Sequence, residues 1–207
     1  MVVNFTNFVF RTQIYPNHAK TCCLQELSEV AKKCGKFEEV KVMNCSPFML
    51  VLKRRRKTII IFTSGKMRLM GAAIRKKESA DKFFKKYILR KLFKHQRHHL
   101  TIAPVQLQTI SASFTVGENI NLNKLHNYIS RLPAPFPNVD VNKPMPEICN
   151  YYSPELFCGI QLKLWGSIHT NVFSSGKCVI TGIKHKNEAY IIADQVTNFV
   201  NDYKQCV

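Results

Sequence analysis

The sequence predicts an α+β fold in which two pseudo-symmetric repeats build a continuous antiparallel sheet with helices on one face only. Three observations predict it. Phe62-Thr63-Ser64-Gly65-Lys66, with Gly71 beyond it, returns at an offset of 111 residues as Phe173-Ser174-Ser175-Gly176-Lys177 with Gly182. Ahead of each copy a Ser-Pro and then a Phe lead into an apolar run that ends in basic residues, Ser46-Pro47-Phe48 to Arg54 and Ser153-Pro154-Glu155-Leu156-Phe157 to Lys163. Behind each copy, apolar residues recur at helical spacing. The repeats divide the chain into residues 1–100 and 101–207.

Each repeat opens on a β-like run, Phe5 to Tyr15 and Val105 to Val116. A short amphipathic helix follows, carried by Leu24, Leu27 and Ala31 in the first repeat and by Leu122, Leu125 and Ile129 in the second. The basic segments Lys53 to Lys57 and Lys163 to Ile168 lie between apolar strands and read as hairpin tips, with Gly65 and Gly176 as second turns. A longer helix closes each repeat, with Ala80, Phe83, Phe84, Tyr87, Ile88 and Leu92 on one stripe, matched by Ala189, Ile192, Ala193, Val196, Phe199 and Val200. The stretch Pro133 to Pro146 holds five prolines and is expected to be an extended insertion within the second repeat.

The 207 residues carry 31 Lys and Arg against 13 Asp and Glu, a formal net charge of +18, so a polyanionic partner is expected. No apolar run approaches the roughly 18 residues of a membrane span, and the start lacks the features of a secretory signal, so a soluble, non-secreted chain is expected. Eight scattered cysteines then read as reduced thiols. Cys-x-x-Cys pairs are absent, and His95, His98 and His99 stand in a basic stretch without a nearby cysteine, so neither a metal nor another cofactor is expected. With no spaced carboxylate pair, Gly-rich phosphate loop or Cys with an evident His partner, the chain does not read as an enzyme.

Residues two apart on a strand share a face. Ile60, Phe62, Lys66, Arg68 and Met70 therefore belong together, as do Asn171, Phe173, Lys177, Val179 and Thr181. Exposed aromatics mixed with small apolar groups and cations are unlike a packed core. They suit a surface laid against a DNA minor groove, where apolar groups meet sugar edges, cations meet phosphates and phenylalanines enter between base steps.

The doubled Phe-x-Ser-Gly-Lys-x-x-x-x-Gly, with Ser-Pro-Glu-Leu-Phe before the second copy, resembles the core of the TATA-box-binding protein family over roughly residues 4 to 204, more closely in the second half than in the first. The resemblance implies a saddle: a curved ten-stranded antiparallel sheet with four helices on its convex face. It implies a DNA-binding transcription initiation factor that bends A/T-rich promoter DNA, with kinking phenylalanines at Phe48 and Phe62 and at Phe157 and Phe173. Phosphate contacts fall on Ser64, Lys66, Ser175 and Lys177, and on the strand residues Arg54 and Lys163. Glu155 and Leu156 match the stirrup that holds transcription factor IIB, which implies recruitment of a IIB-like factor and RNA polymerase. Phe48 precedes Phe62 by 14 residues where the second pair is 16 apart, and this shortened first stirrup counts against transcription factor IIA contacts. The resemblance leaves open a homodimer formed through the concave faces when DNA is absent.

The centre of the saddle departs from the family pattern. Asn7 and Thr181 keep the groove-floor types, but their mates are Met70 and Thr109; Val9 and Val179 keep the valines, but Arg68 and Ser111 replace the other two. Asn171 stands where an apolar residue is usual. An Arg at the floor favours a narrow A·T groove, whereas Met70 has no strong hydrogen bond to give, so an altered preference for the TATA sequence is expected. These departures, and a start directly on the first repeat, fit a paralogue or a copy carried by a large DNA virus. Such a factor is expected in the nucleus, or in a cytoplasmic replication factory if viral. The alternative is a protein-interaction adaptor or decoy for initiation factors that binds little or no DNA.

Overall fold

A computed structural model describes residues 2–15, 23–44, 46–94, 100–117, 119–131, 149–164 and 167–205. The proline-rich stretch 133–146 and the histidines at 95, 98 and 99 lie outside them. Two compact units form, one of residues 7–108 and one of residues 1–6 with 109–207.

In the first of these units the strands are β1 (Asn4–Tyr15), β2 (Glu39–Met43), β3 (Met49–Arg54), β4 (Lys57–Phe62) and β5 (Lys66–Met70), in the order β2-β3-β4-β5-β1. Every one of these neighbours is antiparallel. The short β6 (Thr101–Ile102) pairs with the far end of β1. Helix α1 (Leu24–Lys33) packs on β2 and β3, and α2 (Lys77–Phe83) continues as a π-helical segment, Phe84–Leu92, that meets α1.

The other unit repeats the plan with β7 (Gln106–Thr115), α3 (Leu122–Arg131), β8 (Cys149–Tyr151), β9 (Gly159–Lys163), β10 (His169–Phe173), β11 (Lys177–Ile183) and α4 (Lys186–Gln205). Its strand order is β7-β11-β10-β9-β8, again antiparallel. Helix α3 packs on β8, β9 and α4, and α4 on β11. Local chemistry fixes the helix starts: Asn121 Oδ1 accepts from the Lys124 amide at 3.1 Å, and Glu188 Oε2 accepts from the Lys184 and His185 amides at 2.8 and 3.1 Å.

Strand alternation sorts the side chains. Leu50, Leu52, Ile59, Ile61, Met67 and Leu69 are buried in the first unit with Phe84 and Ile88 of the second helix. Ile160, Leu162, Val172, Cys178 and Ile180 are buried in the other with Ala189, Ile192 and Val196. Each such side chain contributes roughly 1.5–3 kcal/mol by leaving water. The expected α+β plan of paired repeats holds, with five main strands and two helices in each among the described residues.

Two glycines explain why the motif ends as it does. Gly71 and Gly182 take φ of +148° and +91°, and a Cβ on either would collide with the carbonyl oxygen of Arg56 or Ser167 at the neighbouring hairpin tip. Only glycine lets strand and tip approach so closely.

Candidate nucleic-acid interface

The strand face opposite each buried set stays uncovered by the helices of its own unit. In the first unit, backbone register sets Val9 opposite Met70, Arg11 opposite Arg68 and Gln13 opposite Lys66, while Ile60 flanks Arg68 on the other side. Residues directly opposed across an antiparallel pair point to the same face, so these form rows on one surface. Phe62 stands at the end of β4 opposite Met49, its ring 5.5 Å from the Arg68 guanidinium carbon. Phe48, just before β3, is 53% exposed.

The second unit sets Ser113 opposite Val179, Asn171 between Val179 and Gln161, and His169 between Thr181 and Lys163. Phe173 is opposite Gly159, and its ring lies 5.7 Å from that of Phe157 at 59°. Gly159 is the floor beneath both: an added Cβ would lie 2.9 Å from the Val172 carbonyl oxygen, 3.0 Å from the Phe157 ring and 3.1 Å from the Phe173 ring.

The Ser-Gly-Lys turns are built alike. The Gly65 amide donates to the Phe62 carbonyl at 2.9 Å and the Gly176 amide to that of Phe173 at 2.9 Å. Each turn is tied back to the first strand of its repeat, Ile14 N donating to Gly65 O and Val116 N to Gly176 O. Ser64, Lys66, Ser175 and Lys177 are thereby presented as exposed side chains. Each turn borders a groove: one of about 610 Å³ holds Arg11, Phe62, Ser64, Lys66 and Arg68, and one of about 530 Å³ holds Ser113, Ser175 and Lys177.

Some expected residues sit differently. The resemblance makes Arg54 the first-repeat counterpart of Lys163, a phosphate-facing strand cation, but the structure turns it to the helix side. Its guanidinium donates to the Tyr87 hydroxyl at 3.2 Å and to the Lys36 carbonyl, and stacks 4.4 Å from the Tyr87 ring centre. Burial opposes ionisation of Tyr87, yet the hydrogen bond and charge of Arg54, with Lys86, outweigh it and hold the phenol below its ordinary 10.0. The cause is a register shift of one residue: Phe62 faces Met49, one after Phe48, whereas Phe173 faces Gly159, two after Phe157. Lys53, not Arg54, therefore matches Lys163. Lys53 pairs with Glu39 at 2.7 Å, and Lys41 reaches the same carboxylate at 3.1 Å.

Val9 points to the open face but is only 9% exposed. Thr109 is half-buried, its hydroxyl 3.4 Å from the Ile183 carbonyl. Asn7, Ile60, Met70, Ser111, Asn171 and Val179 are half-exposed, and Arg68, Lys163 and Thr181 are exposed. Glu155 and Leu156 occupy the turn before Phe157, where Leu156 is 77% exposed and its amide donates to the Ser153 carbonyl at 3.0 Å. The open faces also include Arg11, Gln13, Lys53, Ser113, Gln161 and His169, which lie outside the doubled motif; Arg11 and Gln13 follow Asn7 in steps of two along β1. Behind the face, burial pushes the Cys178 thiol up to about 12, so it stays protonated.

Fold and surface together define a class: two helix-backed antiparallel repeats, each with a strand-end phenylalanine beside a serine–lysine turn. The family model for transcription factor TFIID, or TATA-binding protein (TBP), matches residues 104–203. The TATA-box-binding protein of Methanococcus vannielii is 30% identical over 148 residues, 71% of this chain and 70% of that one. That of Sulfurisphaera tokodaii is 32% identical over 143 residues, 67% of this chain and 60% of that one. The solved structure of Methanococcus jannaschii TBP superposes with a TM-score of 0.60 at 22% identity, covering 98% of this chain and 99% of that one. The chain belongs to the TATA-box-binding protein family, whose members are DNA-binding transcription factors and not enzymes.

Proposed function

We propose that this chain is a transcription initiation factor that binds A/T-rich promoter DNA through the minor groove and bends it with two phenylalanine pairs. One observation carries the reading. Phe62 in the first repeat, and Phe173 with the Phe157 ring against it in the second, stand with their Ser-Gly-Lys turns on the strand face that the helices of their own unit do not cover, and Phe48 is exposed just before β3. Phe48 with Phe62, and Phe157 with Phe173, act as wedges between base steps. Lys66, Lys163 and Lys177 neutralise phosphates, and Ser64 and Ser175 donate to them. Leu156, exposed beside Glu155, is the apolar anchor for a IIB-like factor, which brings RNA polymerase to the bent duplex.

The test is a fluorescence-transfer bending assay on an A·T-rich duplex, with Phe157→Ala/Phe173→Ala beside the wild type. The expected result is a bend in the wild type that the double variant loses, with affinity falling about tenfold or more as the wedges' contacts disappear. Unchanged bend and affinity in the double variant overturn the wedge assignment.

A further inference from the structure

We infer that Arg11 and Arg68 make the first repeat the A·T-selective half of the interface, a role its twin does not share. This rests on the DNA-binding reading above and adds to it which residues discriminate. Arg11 and Arg68 are direct register partners on neighbouring strands, and both are exposed. Their counterparts in the second repeat, Ser113 and Val179, are also register partners and carry no charge. The next row along is matched, since Gln13 with Lys66 answers Thr115 with Lys177. The cation at the turn is thus common to both repeats, and the guanidinium pair belongs to one.

Both guanidiniums are held in place. Arg11 Nε donates to Gln106 Oε1 at 3.0 Å, and Arg68 lies over the Phe62 ring. Among the described residues no Asp or Glu lines the 610 Å³ groove they share, so no described carboxylate there neutralises them. A·T tracts narrow the minor groove and deepen its negative potential, which draws arginine in. A guanidinium also sheds water more readily than an ammonium. At G·C pairs the minor groove adds the guanine amine, a donor facing a side chain that can only donate. The same pair therefore attracts one groove and disfavours the other.

The full chain is titrated by fluorescence anisotropy against two duplexes that differ only in a central run of A·T or G·C pairs. The wild type is expected to prefer A·T by about tenfold or more, and Arg11→Ser/Arg68→Val, which copies the second repeat, to cut that preference to about threefold. Ser113→Arg/Val179→Arg, which installs the pair in the second repeat, is expected to raise it. An Arg11→Ser/Arg68→Val variant that weakens equally on both duplexes, or keeps the full preference, overturns the inference, as does wild-type binding without A·T preference. A wild type that binds neither duplex overturns the DNA-binding reading itself, and the inference with it.

Discussion

Gly159 shows how one missing Cβ shapes the second aromatic pair. The Phe157 and Phe173 rings come down over its backbone, and an alanine there meets the fixed Val172 carbonyl as well as both rings. Gly159→Ala is expected to destabilise the protein by about 1–3 kcal/mol in urea unfolding. It is also expected to splay the rings, lowering the bend angle in the transfer assay. The first repeat has Met49, not a glycine, opposite Phe62 at the matching place. The sequence made the four phenylalanines and both turns legible because they sit in a doubled motif. It concealed Arg54, because a single residue fewer between Phe48 and the paired strand moves every later side chain to the opposite face.

At the scale of the element, the hairpin from β3 to β4 turns on Arg55 and Arg56, with φ of +43° and +58°. Left-handed backbone at both central positions favours Asn-Gly, and arginine bears a steric cost there. Arg55→Asn/Arg56→Gly is expected to raise stability by about 1 kcal/mol in thermal unfolding. The edge strand β2 gives a pH prediction. Hydrogen bonds from Lys53 and Lys41 hold the Glu39 carboxyl below its ordinary 4.5, so its folded value lies under its unfolded one. The stabilisation is present above the unfolded value and disappears as pH falls through the folded one. Glu39→Gln is expected to lower stability at neutral pH and to flatten its decline between about pH 5 and about pH 3, followed by urea midpoints. Strands and helices were legible from two-fold and helical periodicity. The π-helical continuation of α2 was not, because its apolar stripe of Phe84, Ile88 and Leu92 also satisfies an α-helix.

For the molecule as a whole, charge decides more than any single contact. A net +18 and exposed lysines at both turns imply steep salt dependence: duplex affinity is expected to fall about 10³-fold or more between about 50 and 200 mM salt if six or more phosphates are contacted. Lys66→Ala and Lys177→Ala are each expected to reduce the slope of log affinity against log salt by about one. A flat titration favours an adaptor that meets proteins instead of DNA. The paired plan was legible from end to end because the motif occurs twice, but the way the chain apportions itself was not. Residues 1–6 cluster with 109–207, and the Phe5 ring stands 6.0 Å from that of Tyr190 with the Lys186 ammonium 5.5 Å away. A gene severed between codons 100 and 101 would thus yield a carboxy-terminal fragment without the opening segment whose Phe5 ring meets Tyr190. Duplication in the sequence does not make the second repeat self-contained.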